Sequence, residues 1–368
     1  MKDSSLFTPF KIRGLELKNR FVMAPMTRSF SPNGVPGADV VGYYERRAAA
    51  DVGLILSEGV TVDRKGASSD PRIPNMVEDE AIAGWQSVID AVHQADGKMG
   101  PQLWHVGMTR KPGTGPHPEA DSDGPSGITH TGKQVLPEPS EEDVADMAAA
   151  YARSASHAKR LGFDMIELHG AHGYLIDEFF WSVMNQRTDR YGGSLVKRAQ
   201  FAIEAVKLCR EAVGEDLPIF LRISQWKQQD YAAKLADTPE ALGEFTGALA
   251  DAGVDVFHCS QRRFWEPEFD GSDLNFAGWV RKLTGKPTVT VGSVGLKGDF
   301  FGSFTGQGAD TSGRTDIDAL AERLDRDEFD LVAVGRALLQ DPQWVSKVKD
   351  SQFDALESFD AASLAKLT

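Results

Sequence analysis

The chain has 368 residues, of which 41% are hydrophobic and 26% charged. That balance supports a sizeable buried core and excludes a disordered chain. A formal net charge of −14 repels phosphate backbones, so nucleic acid is excluded as an expected partner.

Cys209 and Cys259 are the only two cysteines, too few for a disulfide framework or a thiolate metal cluster. The N-terminal "MKDSSLFTPF" lacks the apolar segment of a signal peptide, and no stretch approaches the roughly 20 apolar residues that span a bilayer. No membrane partner is expected, and the expected setting is cytoplasmic.

In chain order, "FKIRGLELKNR" alternates in polarity around Gly14 and predicts a β-hairpin. After it, eight short apolar runs rich in β-branched residues alternate with longer amphipathic segments. The runs are 20–27, 53–60, 98–105, 163–170, 217–224, 254–260, 286–293 and 331–338. The segments between them predict helices. The one beginning "SEEDVADM" opens on Ser140 with an acid three residues on and stops at Gly162, as a near capping box and a glycine stop require.

Strands buried on both faces, alternating with helices eight times, predict one (β/α)8 TIM barrel domain spanning 1–368. The hairpin would plug its bottom. Two extended loops, 106–139 and 295–312, would lie on its top face.

Active sites of such barrels sit at the C-terminal ends of the strands. Those ends here read "APMTR", "SEG", "QLWH", "ELHGAHGY", "LRIS", "CS", "VGS" and "VGRA". Gln102, His169, His172, Arg222, Ser293 and Arg336 would converge on one rim, which marks an enzyme or a ligand binder. Gly292–Ser293 and Gly335–Arg336 end strands seven and eight, the usual phosphate position of this fold. Alternatively the glycines only turn the chain and Arg336 pairs with an acid. Arg222 in a barrel mouth must meet an anion, either a bound group, or Glu167 on the adjacent strand, or both.

His169, His172 and Tyr174 follow strand four closely. No H-E-x-x-H or Cys-x-x-Cys supplies further metal ligands, so no metal is expected. Two imidazoles and a phenol suit a carbonyl that gains negative charge beside a proton source; packing is the other reading. "GITHTGKQ" (127–134) stops short of a P-loop at Gln134 and is read as chance.

The motifs "NRFVMAPMTR", "PQLWHVG", "ELHGAHGYLIDEFFWSVMNQRTDRYGGS", "LRIS" and "VGRALLQDP", in this order from about Leu6 to about Trp344, resemble the Old Yellow Enzyme family of FMN-dependent ene reductases. Thr27, where another branch has Cys, resembles the classical branch, and "HGAH" marks a sub-group, since some members have Asn at the second histidine.

The resemblance implies tightly bound, non-covalent FMN, with Pro25, Met26 and Thr27 lining the flavin and Gly59 and Gln102 at its pyrimidine side. Arg222 would sit by its N1 and O2. Gly292, Ser293, Gly335 and Arg336 would hold the phosphate. His169 and His172 would bond the substrate's carbonyl or nitro oxygen, and Tyr174 would protonate the α-carbon. The implied reaction is ping-pong. NADPH or NADH reduces FMN, and the flavin then reduces the activated C=C bond of an enone or nitroalkene, with nitrate esters as further substrates. A flavin-binding protein with a sensing or scaffold role is the alternative.

Overall fold

The structure, a computed structural model, describes residues 1–298 and 310–368. The expected hairpin forms from β1 (Phe10–Ile12) and β2 (Leu15–Leu17), paired antiparallel. Eight further strands follow in the described residues: β3 (Phe21–Met23), β4 (Leu54–Thr61), β5 (Met99–Trp104), β6 (Ile166–His172), β7 (Ile219–Lys227), β8 (Val256–Ser260), β9 (Thr288–Val291) and β10 (Leu331–Val334). They pair in sequence order, and β10 returns to β3 to close the barrel. Every pairing in it is parallel. Parallel neighbours need crossover connections, and the helical segments supply them.

Each expected run supplies one strand, and its side chains divide between two environments. Val22, Ala24, Leu54, Leu56, Met165, Phe220, Val256, Val289, Leu331 and Ala333 fill the barrel interior together with Phe10, Leu15 and Leu17 of the hairpin. Their strand neighbours Phe21, Met23, Ile55, Ile166, Leu221 and Phe257 join the larger cluster under the helices. The alternation follows from the two-residue period of a strand.

The hairpin is the plug that its polarity predicts. Gly14 N–H donates to Asp216 O at 2.9 Å, just before β7. Arg13 pairs with Asp255, just before β8, and with Glu215.

The helix Glu141–Leu161 carries a full capping box between Ser140 and Asp143, and it stops at Gly162 with φ +83°. Between β6 and β7 the predicted helical segment includes two separate helices, Leu195–Arg198 and Gln200–Val213. Among the described residues, no helix is long and apolar enough to cross a membrane.

Of the two long loops, 106–139 is tied down by Asp123, which accepts from Arg64 Nε at 3.0 Å and His105 Nε2 at 2.9 Å. The stretch "GITHTGKQ" forms a turn closed by an Ile128–Gln134 bridge. Residues 299–309 of the 295–312 loop lie outside the described residues.

Candidate active site

The site is organised by an irregularity at the end of β6. Residues 163–170 predict a strand that stops near His169, whereas the observed strand runs on to His172. Its register with β7 shifts between Gly170 and His172. His172 takes φ +65° and Gly173 +77°. A left-handed histidine is uncommon, and such conformations persist only where neighbours hold them. Here His172 N–H donates to Ser224 Oγ at 3.0 Å, and Gly173 N–H to Asp177 Oδ2 at 2.7 Å. At φ +77° a side chain on residue 173 would be strained, and its Cβ would also push Gln229 Oε1 from 1.9 Å away, so glycine suits this turn. The helix Leu175–Phe180 starts immediately after it, with Tyr174 as its cap residue.

This double turn brings three rings together. The His169 and His172 rings meet edge to face with centroids 5.2 Å apart, and Tyr174 lies 5.0 Å from His169. Trp104 at the end of β5 packs on Tyr174 at 5.0 Å and on His169 at 6.3 Å. Trp226 stacks on His172 at 4.4 Å, and Tyr231 stacks on Trp226 at 5.1 Å.

The electrostatics set the protonation states. Burial, with Arg222 nearby, holds both histidines well below the usual imidazole range, so they are neutral at pH 7. His169 Nδ1 accepts from Ala171 N–H at 3.3 Å. Its one proton is therefore on Nε2, where it can be donated. Burial raises the Tyr174 phenol, while a bond from Gln228 Nε2 to its oxygen at 3.1 Å and the charge of Arg222 work the other way. Tyr174 is thus a protonated phenol with an oriented oxygen.

Arg222, 7% exposed, lies within β7, which runs on to Lys227 instead of ending near the arginine as expected, and it corrects a second expectation. It does not pair with Glu167. The oxygens of Glu167 are committed to Gln102 Nε2 and His258 Nδ1, both at 2.7 Å. Arg222 makes no ion pair within the described residues, and its buried Nε has no hydrogen-bond partner. A buried guanidinium left this way is strongly disfavoured unless an anionic or acceptor group meets it.

The other expected cofactor residues lie on or just beyond β3, β4, β5, β9 and β10 of the same barrel. Gln102 pairs in register with Gly59 on β4. A Cβ on Gly59 would lie 2.4 Å from Trp104 Cε3. Pro25 and Met26 are half-buried and Thr27 exposed just beyond β3. Met26 Sδ lies 3.6 Å from where a Cβ on Gly335 would stand, which joins the ends of β3 and β10.

At the expected phosphate position, Gly292 has φ +150°, and a Cβ there would lie 2.5 Å from Gln261 O. Ser293 is left-handed, with φ +55°. Its hydroxyl donates to Arg262 O at 3.0 Å, so its backbone rather than its hydroxyl is left to meet a phosphate. Arg336 opens the short helix Arg336–Gln340, whose first N–H groups have no intrahelical acceptor, and it donates to Gly298 O at 2.8 Å.

These residues fit FMN. The buried Arg222 Nε has no partner in the described residues, and two glycine-bearing strand ends, of β9 and β10, stand side by side for a phosphate.

Four contributors escaped the sequence reading: Trp104, Gln228, Tyr231 and Ser260. Ser260 Oγ lies 2.7 Å from His172 Nε2. Position is the signal that could have found Trp104 and Ser260, since both end a strand on the same rim. Gln228 and Tyr231 lie just past β7 and carried no such signal. Trp226, within β7, is the ring that lies on His172.

Comparison with known proteins agrees with this geometry. The model of the NADH:flavin oxidoreductase / NADH oxidase family matches residues 5–300. An NADPH dehydrogenase of Bacillus subtilis (strain 168) is 33% identical over 343 residues, which cover 92% of each chain. A NADH oxidase of Thermoanaerobacter brockii is 32% identical over 359 residues, 95% of this chain, but the chain spans only about half of that longer protein, 51%. Among solved structures, morphinone reductase in complex with tetrahydroNAD superposes with TM-score 0.80 at 26% identity, covering 98% of this chain and 94% of that one. An Old Yellow Enzyme from Pichia sp. AKU4542 shares the fold, with TM-score 0.83 at 22% identity over 99% of this chain and 91% of that one. The chain belongs to the NADH:flavin oxidoreductase / NADH oxidase family, of Old Yellow Enzyme type, and is an FMN-dependent, NAD(P)H-linked flavin oxidoreductase.

Proposed function

We propose that the chain is an ene reductase that reduces the activated C=C bond of α,β-unsaturated carbonyl or nitro compounds by a ping-pong mechanism. The observation that carries this reading is the grouping of His169, His172 and Tyr174 on one rim beside Arg222, with the His169 Nε2 proton unpartnered among the described residues. FMN, when bound, supplies the hydride relay between the nicotinamide and the substrate.

The chain's own residues do the rest. His169 and His172 bond the substrate oxygen and stabilise the negative charge that develops on it. Tyr174 delivers a proton to the α-carbon as general acid. Arg222 would provide a fixed positive charge for the flavin's pyrimidine edge, which Gln102 and Gly59 would also meet. Pro25, Met26 and Thr27 would line the ring, and Gly292, Ser293, Gly335 and Arg336 would hold the phosphate. Trp104 and Trp226 wall the histidines on two sides and restrict what can lie against them. The two buried free thiols, Cys209 and Cys259, suit a reducing, cytoplasmic setting.

Anaerobic stopped-flow measurements test the reading. The FMN-loaded protein is reduced by NADPH or NADH and then mixed with 2-cyclohexenone, a nitroalkene or a nitrate ester. Rapid reoxidation by the enone or nitroalkene, with the saturated product formed, is expected. A flavin that is reduced but reoxidised only by oxygen would overturn the proposal in favour of a flavin-binding sensor or scaffold.

A further inference from the structure

His172 is neutral, so it has one N–H and one lone pair to distribute over two nitrogens. Its Nε2 is committed to Ser260 Oγ at 2.7 Å, while its Nδ1 has no partner in the described residues. A half-turn of the ring would put Cε1 in place of Nε2 against Ser260 and lose that bond, and the stack of Trp226 at 4.4 Å, itself backed by Tyr231, holds the ring's plane. What Nδ1 offers therefore depends on the direction of the Ser260 bond.

Ser260 ends β8 and is 4% exposed. Its hydroxyl has no other partner in the described residues. If His172 Nε2 donated, the serine hydrogen would be buried without an acceptor, and Nδ1 would turn a lone pair toward the substrate oxygen. If the serine donates, its hydrogen is satisfied and the imidazole proton is on Nδ1. The neighbouring histidine is set by the same logic from the other side, since the backbone N–H of Ala171 occupies His169 Nδ1 and leaves the proton on Nε2.

We infer that Ser260 is a positioning residue that donates to His172 Nε2 and fixes His172 as the Nδ1–H tautomer, so that both histidines present an N–H to one bound oxygen. The assignment of that oxygen to an enone or nitro group rests on the proposed function; the tautomer does not. The bond joins residues 88 apart in sequence, which is why only the closed barrel reveals it.

Long-range proton–nitrogen correlation spectra of the FMN-loaded protein labelled with 15N-histidine test this directly, with His172 assigned by comparison with His172→Asn. A protonated Nδ1 and an unprotonated Nε2 are expected; the reverse pattern overturns the proposal. Titration with 4-hydroxybenzaldehyde, whose phenolate takes two N–H donors, gives a second readout. Ser260→Ala is expected to weaken it about tenfold, the worth of one hydrogen bond, at unchanged FMN content. Ser260→Thr, which keeps the hydroxyl, is expected to recover most of that affinity. Unchanged affinity in Ser260→Ala overturns the proposal. Should Ser260→Ala fail to fold, the spectrum of the unmodified protein still decides. A protein with the expected spectrum and no enone turnover would sink the ene-reductase reading and leave the tautomer standing.

Discussion

The turn that carries His172 and Tyr174 is pinned by a buried ion pair, and breaking that pair should be costly. Asp177 and Lys227 have side chains 0% and 1% exposed and bond to each other. Asp177 also accepts from Gly173 N–H. Burial raises the Asp177 carboxyl despite the opposing effect of the lysine. Asp177→Asn keeps an oxygen for Gly173 but removes the only carboxylate within ion-pair distance of Lys227 in the described residues.

An uncompensated buried charge costs about 3–5 kcal/mol. The escape route is no cheaper, since discharging an ordinary ammonium at pH 7 costs about 4–5 kcal/mol. With roughly 2 cal/mol/K of unfolding entropy per residue, a chain of this length loses about 4–6 °C of Tm. Scanning calorimetry of the FMN-loaded protein at pH 7 reads it. The double variant Asp177→Leu with Lys227→Met removes both charges and should regain most of the loss. A single variant within 1 °C of the parent, or a double variant no better than the single, would refute the argument.

Three further outcomes are expected. Tyr174→Phe should slow the oxidative half-reaction with enones by roughly 10²–10⁴-fold, the range of general-acid contributions, and leave flavin reduction by the nicotinamide nearly unchanged; stopped-flow separates the two, and equal slowing of both would remove the proton-donor role. Glu58→Gln concerns the loop after β3, because Glu58 Oε2 accepts from Arg28 and Ser29 N–H and burial pushes its carboxyl up to about 7. A raised pKa means that the folded protein holds this proton more tightly than the unfolded chain, so the contribution is fully present below about pH 4.5 and is lost as pH rises through about 7. The neutral glutamine escapes that loss, so Glu58→Gln should gain on the parent by roughly 1.4 kcal/mol on going from pH 6 to pH 8.5; an equal Tm difference at the two pH values would count against it. Gly59→Ala should lower Tm by roughly 1–4 °C through overpacking against Trp104, and it should weaken phenolate binding as Trp104 shifts against His169 and Tyr174.

Much of this molecule was legible from local pattern. The eight apolar runs carry their strand signal within themselves, and the capping box at Ser140 and the stop at Gly162 act over a few residues. The hairpin around Gly14 showed its inward face by alternation. Since chemistry in a barrel gathers at strand ends, His169, Arg222 and Gln102 could be named before any contact was known.

What the sequence could not show were pairings between strands distant along the chain. Glu167 lies next in register to Phe220 on β7, which made it a reasonable partner for Arg222. Only the packed barrel shows that Gln102 and His258, 65 and 91 residues away from it, hold both of its oxygens. The bulge that turns His172 toward His169 depends on the register of β7, and no local propensity encodes it.

The order of strands and helices, the hairpin plug and the identity of the rim residues were therefore determined by the sequence alone, because each follows from periodicity or from position at a strand end. The tertiary structure decided which buried donor meets which acceptor. It left Arg222 without an ion pair among the described residues, placed Trp226 on His172 and brought Ser260 to its Nε2, because those contacts exist only once the eight strands close on one another.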